Sequence, residues 1–447
     1  MRQCLTSPEG GYYTTKNQAK DQFGRKGDFI TSPEISQVFG ELIGIWLYAE
    51  WMAQGKVSKG VELVELGPGR GTLMDDMLRT LSTFRQMRAS IDSVYLIETS
   101  PSLRETQRLL LCGEAPFETV DIGIRSISKY SGIPITWCED IRFVPKGATK
   151  TPFIVAHEFF DALPIHAFQS VPPRPSNSGT TLQTPTGLIP LSNQSPQSKQ
   201  NQWRELLVST APPPNLVVPH AARNLSDTTP DFQLTLAKAS NPTSLLLPNR
   251  SERYKTLLHR AGSTIEISPE SHSYVAQIAQ RIGGAPPNST TLRSQDSSRP
   301  LEHKATPSGA ALILDYGPSG TVPISTFRGI RSHKVVSPFF AAGQVDLSAD
   351  VDFTALAEAA LHSSSGVEVH GPVEQGTWLE AMGIRTRAEM LCKGLERDEA
   401  GRKRVVGAVE RLVERGGGGM GKLYKVMAIV PERGGRRPVG FGGEIGG

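Results

Sequence analysis

Cysteine is scarce in this chain. Cys4, Cys112, Cys138 and Cys392 are its four in 447 residues, and no two form a C-x-x-C pair. That spacing excludes the usual zinc knuckle and the redox dithiol, so no metal site is expected, and so few thiols point to a reducing compartment. No run of 18 apolar residues occurs, which leaves no segment to span a bilayer as a helix. An excess of one charge is missing too. The 48 Lys and Arg against 44 Asp and Glu give a net +4, too little to demand a nucleic-acid partner. The densest basic stretch, Arg402 to Arg437, reads as a solvated helix face followed by a ragged tail. The first residues carry neither a secretory leader nor an Arg-rich amphipathic presequence. Folded-type sequence begins by Gly10-Gly11-Tyr12-Tyr13-Thr14, so the chain is expected to start inside a longer natural protein.

What the sequence does have is a glycine turn between a strand and a helix. Val61-Glu62-Leu63-Val64 reads as a buried parallel strand, and Met74, Met77, Leu78 and Leu81 fit one helix face. Between them stands Glu65-Leu66-Gly67-Pro68-Gly69-Arg70-Gly71-Thr72. Glycine there allows positive φ and lets a ligand approach the backbone. The third glycine comes one residue too early for the dinucleotide fingerprint, and no P-loop lysine follows. Glu65 suits a cofactor with a positive amino group and repels pyrophosphate. The combination resembles the S-adenosylmethionine (SAM) motif of class I methyltransferases. A dinucleotide site and a ligand-free glycine turn are the alternatives.

The rest of the chain reads as an α/β fold with insertions. Residues 1–60 form a helical preface: Ser32 caps, Pro33 takes the first helical position, and Ile35, Val38, Phe39, Leu42, Ile43 and Trp46 form an apolar stripe ending at Gly55. Residues 61–170 hold a Rossmann-like core, with further strands at 93–98, 133–138 and 153–156. Strand–helix alternation implies a parallel, doubly wound sheet. Residues 171–310 form an inserted substrate subdomain, with low-complexity, disordered stretches at 171–202 and 285–308 and strands at 203–208, 232–236 and 264–267. Residues 311–430 return to the core, opening on Ala311-Leu312-Ile313-Leu314-Asp315-Tyr316-Gly317 and closing on a strand from Leu423 to Val430. Residues 431–447 form a Gly/Arg-rich tail expected to be disordered.

Strand ends supply the candidate site residues. Glu98 ends the second strand, where an acid accepts ribose hydroxyls. Asp140 follows the third strand and can accept an adenine amino group; a plain strand-end acid is the alternative for each. After the fourth strand comes His157-Glu158-Phe159-Phe160-Asp161-Ala162-Leu163-Pro164. Glu158 and Asp161 can present two carboxylates to one pocket, which suits a guanidinium. Acids that merely favour a helix N-terminus are the other reading. His157 lines the pocket or packs beside it. Tyr316 covers the pocket or belongs to a turn. Glu266 is either a third pocket acid or, more in keeping with its strand, a half-buried structural one.

The motifs together resemble a known family. Gly27-Asp28-Phe29-Ile30-Thr31-Ser32-Pro33-Glu34-Ile35-Ser36, the glycine turn, Glu158 to Pro164, Asp315-Tyr316-Gly317 and Asp346-Leu347-Ser348-Ala349-Asp350-Val351-Asp352-Phe353 occur in the order found in the MidA-type mitochondrial protein arginine methyltransferases. The resemblance spans about residues 7–170 and 262–430. It implies a class I methyltransferase fold, SAM as methyl donor, and symmetric dimethylation of an arginine in a complex I core subunit, for complex I assembly in the mitochondrial matrix. Glu65, Gly67, Gly69, Gly71, Glu98 and Asp140 carry over as cofactor contacts, and Glu158 and Asp161 as catalytic-pocket residues. His157 stands where the family usually has Asn. A non-catalytic assembly chaperone on the same fold and a small-molecule methyltransferase are the competing functions.

Overall fold

The computed structural model describes residues 1–14, 27–28, 30–173, 181–190, 200–210, 230–285, 304, 306–395 and 397–443. Six strands come first: β1 (Val61–Leu66), β2 (Ile91–Ile97), β3 (Glu118–Val120), β4 (Gly123–Ile127), β5 (Pro134–Cys138) and β6 (Thr151–His157). Then follow β7 (His166–Val171), β8 (Thr181–Thr184), β9 (Gly187–Pro190), β10 (Gln202–Thr210), β11 (Phe232–Leu236) and β12 (Thr264–Ile267). The remainder are β13 (Ala310–Tyr316), β14 (Arg328–Arg331), β15 (Lys334–Val336), β16 (Asp346–Ser348), β17 (Val367–Glu374) and β18 (Tyr424–Pro431).

The main sheet has the order β17-β18-β13-β6-β1-β2-β5-β4-β3. Its centre, β13-β6-β1-β2-β5, is parallel, while β18 runs against β13 and β4 against β5. β1, β6, β13 and β18 are buried along their whole length, as strands covered by helices on both faces must be. Side-chain alternation feeds two cores. Leu63, Leu312 and Val426 face one, with Phe39, Leu42 and Trp46; Val64, Ile313 and Met427 face the other, with Val275, Ile278 and Ile282. Strand order turns back at β1, between β2 and β6. The crevice at such a switch point, outside the carboxyl ends of the strands, is where this architecture binds ligands. Register brings the turn after β1, Glu98 after β2 and Glu158 after β6 to the same edge.

Four features differ from the sequence reading. The N-terminal helix is two elements. Thr31 and Glu34 close a short turn over Ser32–Ile35; Ser36 then becomes extended and caps a new helix, Gln37–Ala53, accepting from the Val38 amide at 3.3 Å. The extended backbone at Ser36 breaks the helix, and its hydroxyl takes up the Val38 amide that the break leaves orphaned, so the cap lies four residues later than Ser32. Secondly, the separate sheet is β11-β10-β7-β12, so it begins at His166, ahead of residue 171. The helix Pro269–Gly283, placed with the insertion, packs on the main sheet. Thirdly, part of the low-complexity stretch 171–202 is ordered: β8 and β9 pair as a hairpin. Residues 174–180, 191–199 and most of 285–308 lie outside the described residues.

The fourth concerns the tail, which is ordered as far as residue 443 rather than disordered from 431. Trp46 Nε1 donates to the Val439 carbonyl at 3.1 Å, Arg433 donates to the Ala53 carbonyl at 2.9 Å, and Val439 and Phe441 are buried. Arg436 grips the fully buried Glu50 with two bonds of 3.1 Å. Composition suggested disorder, but two apolar residues and one buried counter-charge are enough to seat the segment. Among the described residues no helix is long and apolar enough to cross a membrane.

Breaking the Arg436–Glu50 contact strands a dry carboxylate. R436M is expected to lose about 1.5–3 kcal/mol, the size of hydrogen bonds to a charged group. E50Q on that background should restore part of the loss, because an amide is less costly to bury than an anion. Urea unfolding of the two variants checks this; equal stability of R436M and the wild type would show that the tail contact is idle.

Candidate functional site

A cavity of about 750 Å³ opens at the carboxyl ends of β1, β2, β6 and β13. Its walls bring together Glu65, Gly67, Gly69, Glu98, Asp140, Glu158 and Asp161. Of the sequence candidates for the site, Gly71 is not on the wall. It begins the helix Thr72–Ser82 at φ 86°, and a Cβ there would come within 3.2 Å of Gln107. Its place is set by packing against Gln107.

One half of the cavity is built around the glycine turn. Gly67 and Gly69 have φ of 64° and 54°, a region that side chains other than glycine rarely adopt. Glu65 is buried, and its Oε2 accepts no hydrogen bond among the described residues. Burial, and then the nearby Glu98, push its carboxyl up to about 8. Glu98 accepts from the Ser100 amide at 2.8 Å and from Gln107 Nε2 at 3.2 Å. Burial pushes it up to about 7 against those bonds. Gln107 also donates to the Gly69 carbonyl at 2.6 Å and accepts from Trp137 Nε1 at 2.8 Å. It ties the turn, the second strand end and β5 together. Asp140 accepts from the Arg142 amide at 2.8 Å and the Arg142 side chain at 2.9 Å. Burial works against ionisation there, but Arg142 prevails and holds the carboxyl below its ordinary value.

The other half belongs to the loop after β6. Glu158 is a non-glycine residue at φ 48°, a strained conformation that needs outside support. Asp315, at the end of β13, supplies it. Its Oδ2 accepts from the amides of Phe159, Phe160 and Asp161 at 3.2, 2.9 and 3.4 Å, and its Oδ1 from the Tyr316 amide at 2.9 Å. Burial, and then the like charges of Asp161 and Glu158, push Asp315 up, opposed by the amides. Glu158 Oε1 and Asp161 Oδ1 are buried and accept no hydrogen bond among the described residues. Asp161 Oδ2 takes the Tyr316 hydroxyl, which also meets Ser348. Burial raises both carboxyls, most of all Glu158, where Asp161 adds to it. Asp346 is raised to about 7 and accepts from the Tyr13 hydroxyl at 2.8 Å.

The ambiguous residues now have places. His157 packs edge-on against Phe39, with ring centroids 5.2 Å apart. Burial lowers it to about 3, so it is neutral and its 3.6 Å approach to Glu158 is no ion pair. Tyr316 lines the cavity. Glu266 is not a pocket acid: it accepts from the Thr326 amide at 3.0 Å and the Phe327 amide at 3.1 Å, bracing that turn. Tyr13, Gln107, Arg328, Asp346 and Tyr424 were not singled out as site residues. They come from distant segments, and no local spacing marks them. Among the described residues no group of three or more His, Cys, Asp or Glu is arranged to hold a metal ion.

The cofactor half fits a nucleoside with a cationic amino group. The unpartnered Glu65 oxygen is a ready acceptor for an ammonium, and the positive-φ glycines leave room for a ligand against the backbone. The two halves touch, since a Cβ on Gly67 would meet the Phe159 ring at 3.0 Å.

Residues 42–373 match the family described as "Putative S-adenosyl-L-methionine-dependent methyltransferase". The chain is 36% identical over 396 residues to the human "Protein arginine methyltransferase NDUFAF7, mitochondrial", covering 88% of this chain and 70% of that protein. The Bos taurus protein of the same name is 34% identical over 438 residues, covering 97% and 79%. The Drosophila melanogaster homolog is 34% identical over 394 residues, covering 88% and 72%. A Burkholderia thailandensis protein, solved bound to S-adenosyl-homocysteine and described as a "likely methyl transferase", superposes with a TM-score of 0.63 at 19% identity. The superposition covers 98% of this chain and 88% of that one, and at that identity it shows a shared fold.

The raised carboxyls make stability depend on pH. Glu65 at about 8, with Glu98 and Asp346 at about 7, all titrate above their ordinary values in the folded protein. Between pH 5 and 8 the cofactor-free folded state therefore holds more protons than the unfolded one, and stability falls as pH rises. Urea midpoints across that range should drop, and E65Q should flatten the slope. A wild-type midpoint that stays level or climbs would contradict the dry, unpaired state of Glu65.

Proposed function

The chain belongs to the S-adenosyl-L-methionine-dependent methyltransferase family, and from that membership we propose that it methylates arginine side chains of a protein substrate in the mitochondrion. The finer reading is symmetric dimethylation of one arginine in a core subunit of respiratory complex I, as a step in that complex's assembly. Resemblance to the MidA-type enzymes supports it. One observation carries the arginine reading: Glu158 Oε1 and Asp161 Oδ1 are buried carboxyl oxygens with no hydrogen-bond partner among the described residues, in the cavity that also holds the glycine turn. Burial makes each costly to ionise while it stays unpaired, and a cation brought to the pair removes that cost. A guanidinium brings a fixed charge and a fork of donors.

Each half has its task. In the cofactor half, Glu65 would hold the amino group, Glu98 the ribose, Asp140 the adenine, and backbone N–H groups at the turn and helix start the carboxylate. SAM, when bound, supplies a methyl on a sulfonium that leaves as a neutral thioether. Glu158 and Asp161 hold the guanidinium and keep water from its reacting nitrogen. As that nitrogen gains the methyl it gives up a proton, and a carboxylate within reach takes it. Two acids on one wall suit a guanidinium presented either way round, as methylation of both terminal nitrogens requires.

The test is methyl transfer from labelled SAM into mitochondrial proteins, with the modified residue mapped by mass spectrometry. Label on arginine supports the proposal; label confined to small molecules overturns it.

Two sets of variants address the halves separately. E158Q should keep SAM affinity but slow single-turnover transfer roughly 100-fold, within the range of a positioned acid–base group. D161N should act more on peptide affinity, and the two should be non-additive if they hold one arginine. Wild-type rates in both would move the arginine pocket elsewhere. G69V should abolish SAM binding in calorimetry while the protein stays folded, because a branched side chain at φ 54° is strained and fills the approach. Unchanged affinity would refute the turn as cofactor site.

A further inference from the structure

Glu158 and Asp161 face the same cavity, but their surroundings differ in one respect. The charged side chains that bear most on Glu158 are acids: Asp161, Asp346 and Glu34. Asp161 has a cation, Arg328. Arg328 stands on β14 and lines the same cavity. Its Nη1 donates to Asp350 Oδ1 at 2.7 Å and to the Thr326 carbonyl at 2.9 Å, which fixes the guanidinium. The guanidinium carbon lies 4.9 Å from the centroid of the Tyr316 ring. That same tyrosine donates its hydroxyl to Asp161 Oδ2. A cation on the face of a phenol draws charge from the ring and makes its O–H a stronger donor, and a strong donor favours the ionised carboxylate. Asp350, Arg328, Tyr316 and Asp161 thus form one line of contacts.

Glu158 lies off that line. His157, 3.6 Å away, is neutral; Tyr424 from β18 is its hydroxyl partner; Asp315 on β13 and Asp346 on β16 add negative charge. We propose that Arg328 is a positioning residue for the acceptor: through Tyr316 it keeps Asp161 as the fixed anion that grips the substrate guanidinium, and leaves Glu158 to take the proton. This rests on the arginine reading above. The step balances. One N–C bond forms on the guanidinium, the S–C bond of the sulfonium breaks with its electron pair staying on sulfur, and the proton of the attacking nitrogen passes to Glu158 Oε1. Because burial favours the neutral form of Glu158, the arriving guanidinium has to drive its proton out. Substrate binding is therefore coupled to proton release.

The variants are R328Q, R328K and Y316F, with two readouts. One is single-turnover transfer to an arginine peptide at saturating SAM across pH 5.5–9. The other is calorimetry of the same peptide with S-adenosyl-homocysteine present, in two buffers of different ionisation enthalpy. R328Q should weaken the peptide roughly tenfold or more, raise the peptide concentration for half-maximal transfer more than it lowers the limiting single-turnover rate, and move the acidic limb of the profile up by about one pH unit. R328K, which keeps the charge, should recover part of each loss. Calorimetry of the wild type should show net proton release at neutral pH. SAM affinity within threefold of wild type marks R328Q as folded. Such a protein with an unmoved acidic limb and wild-type peptide affinity overturns the proposal. If R328Q fails to fold, Y316F removes the hydroxyl and leaves the cation in place. The same upward shift supports the line of contacts, and a wild-type limb overturns it. A wild-type protein that methylates no arginine peptide overturns the parent reading and this one together; an active wild type matched by R328Q overturns this one alone.

Discussion

Asp315 is the anchor on which the acceptor side of the cavity depends. β6 and β13 are parallel neighbours, with His157 paired to Leu314, so the strand that ends in Asp315 delivers its carboxylate beside the loop leaving β6. One oxygen gathers three successive amides of that loop. No regular secondary structure uses those amides, and buried N–H groups must be paired. The carboxylate pairs them, and doing so holds Glu158 in a backbone conformation it would otherwise leave. The directions in which Glu158 and Asp161 point follow from that hold.

The cavity as a whole trades stability for binding. Glu65, Glu158 and Asp161 each keep an oxygen that no described residue satisfies, and burial raises all three carboxyls. A protein optimised only to stay folded would pair these groups or replace them. Left unpaired, they are complementary to two cations, one in each half. Gly67 lies against Phe159, so the two halves of the cavity adjoin, as transfer between two bound partners would require.

Much of this was legible in the sequence, and what was not has physical causes. β1, its glycine turn and the following helix carry their signal locally, in an apolar run, positive-φ residues and a helix-period stripe, and they form where expected. β11 and β12 also match, because turn residues bound them. The acids at strand ends were legible because a parallel sheet puts every strand end at one edge. Asp315 and Gln107 were not, since each acts through backbone groups more than 30 positions away in the chain. Ser36 displaced Ser32 as the cap because two serines four residues apart offer the same chemistry and tertiary packing chooses between them. The tail was misread because composition averages over residues, whereas Val439, Phe441 and Arg436 act one at a time.

The place of β18 also has a consequence in time. Tyr424–Pro431 lies between β13 and β17, inside the main sheet rather than at its edge. Trp46, on the helix Gln37–Ala53, finds its acceptor at Val439, 393 positions later. At synthesis rates of about 5–20 residues per second, some tens of seconds separate those two residues on the ribosome. From the time β13 is made until β18 follows, about a hundred residues later, β13 offers an unpaired edge of apolar sequence, and the helix keeps part of its face uncovered until Val439 arrives. The nascent chain therefore cannot finish its sheet strand by strand. It must wait with a gap in the middle, and whatever shields that gap governs how much of the protein reaches the folded state.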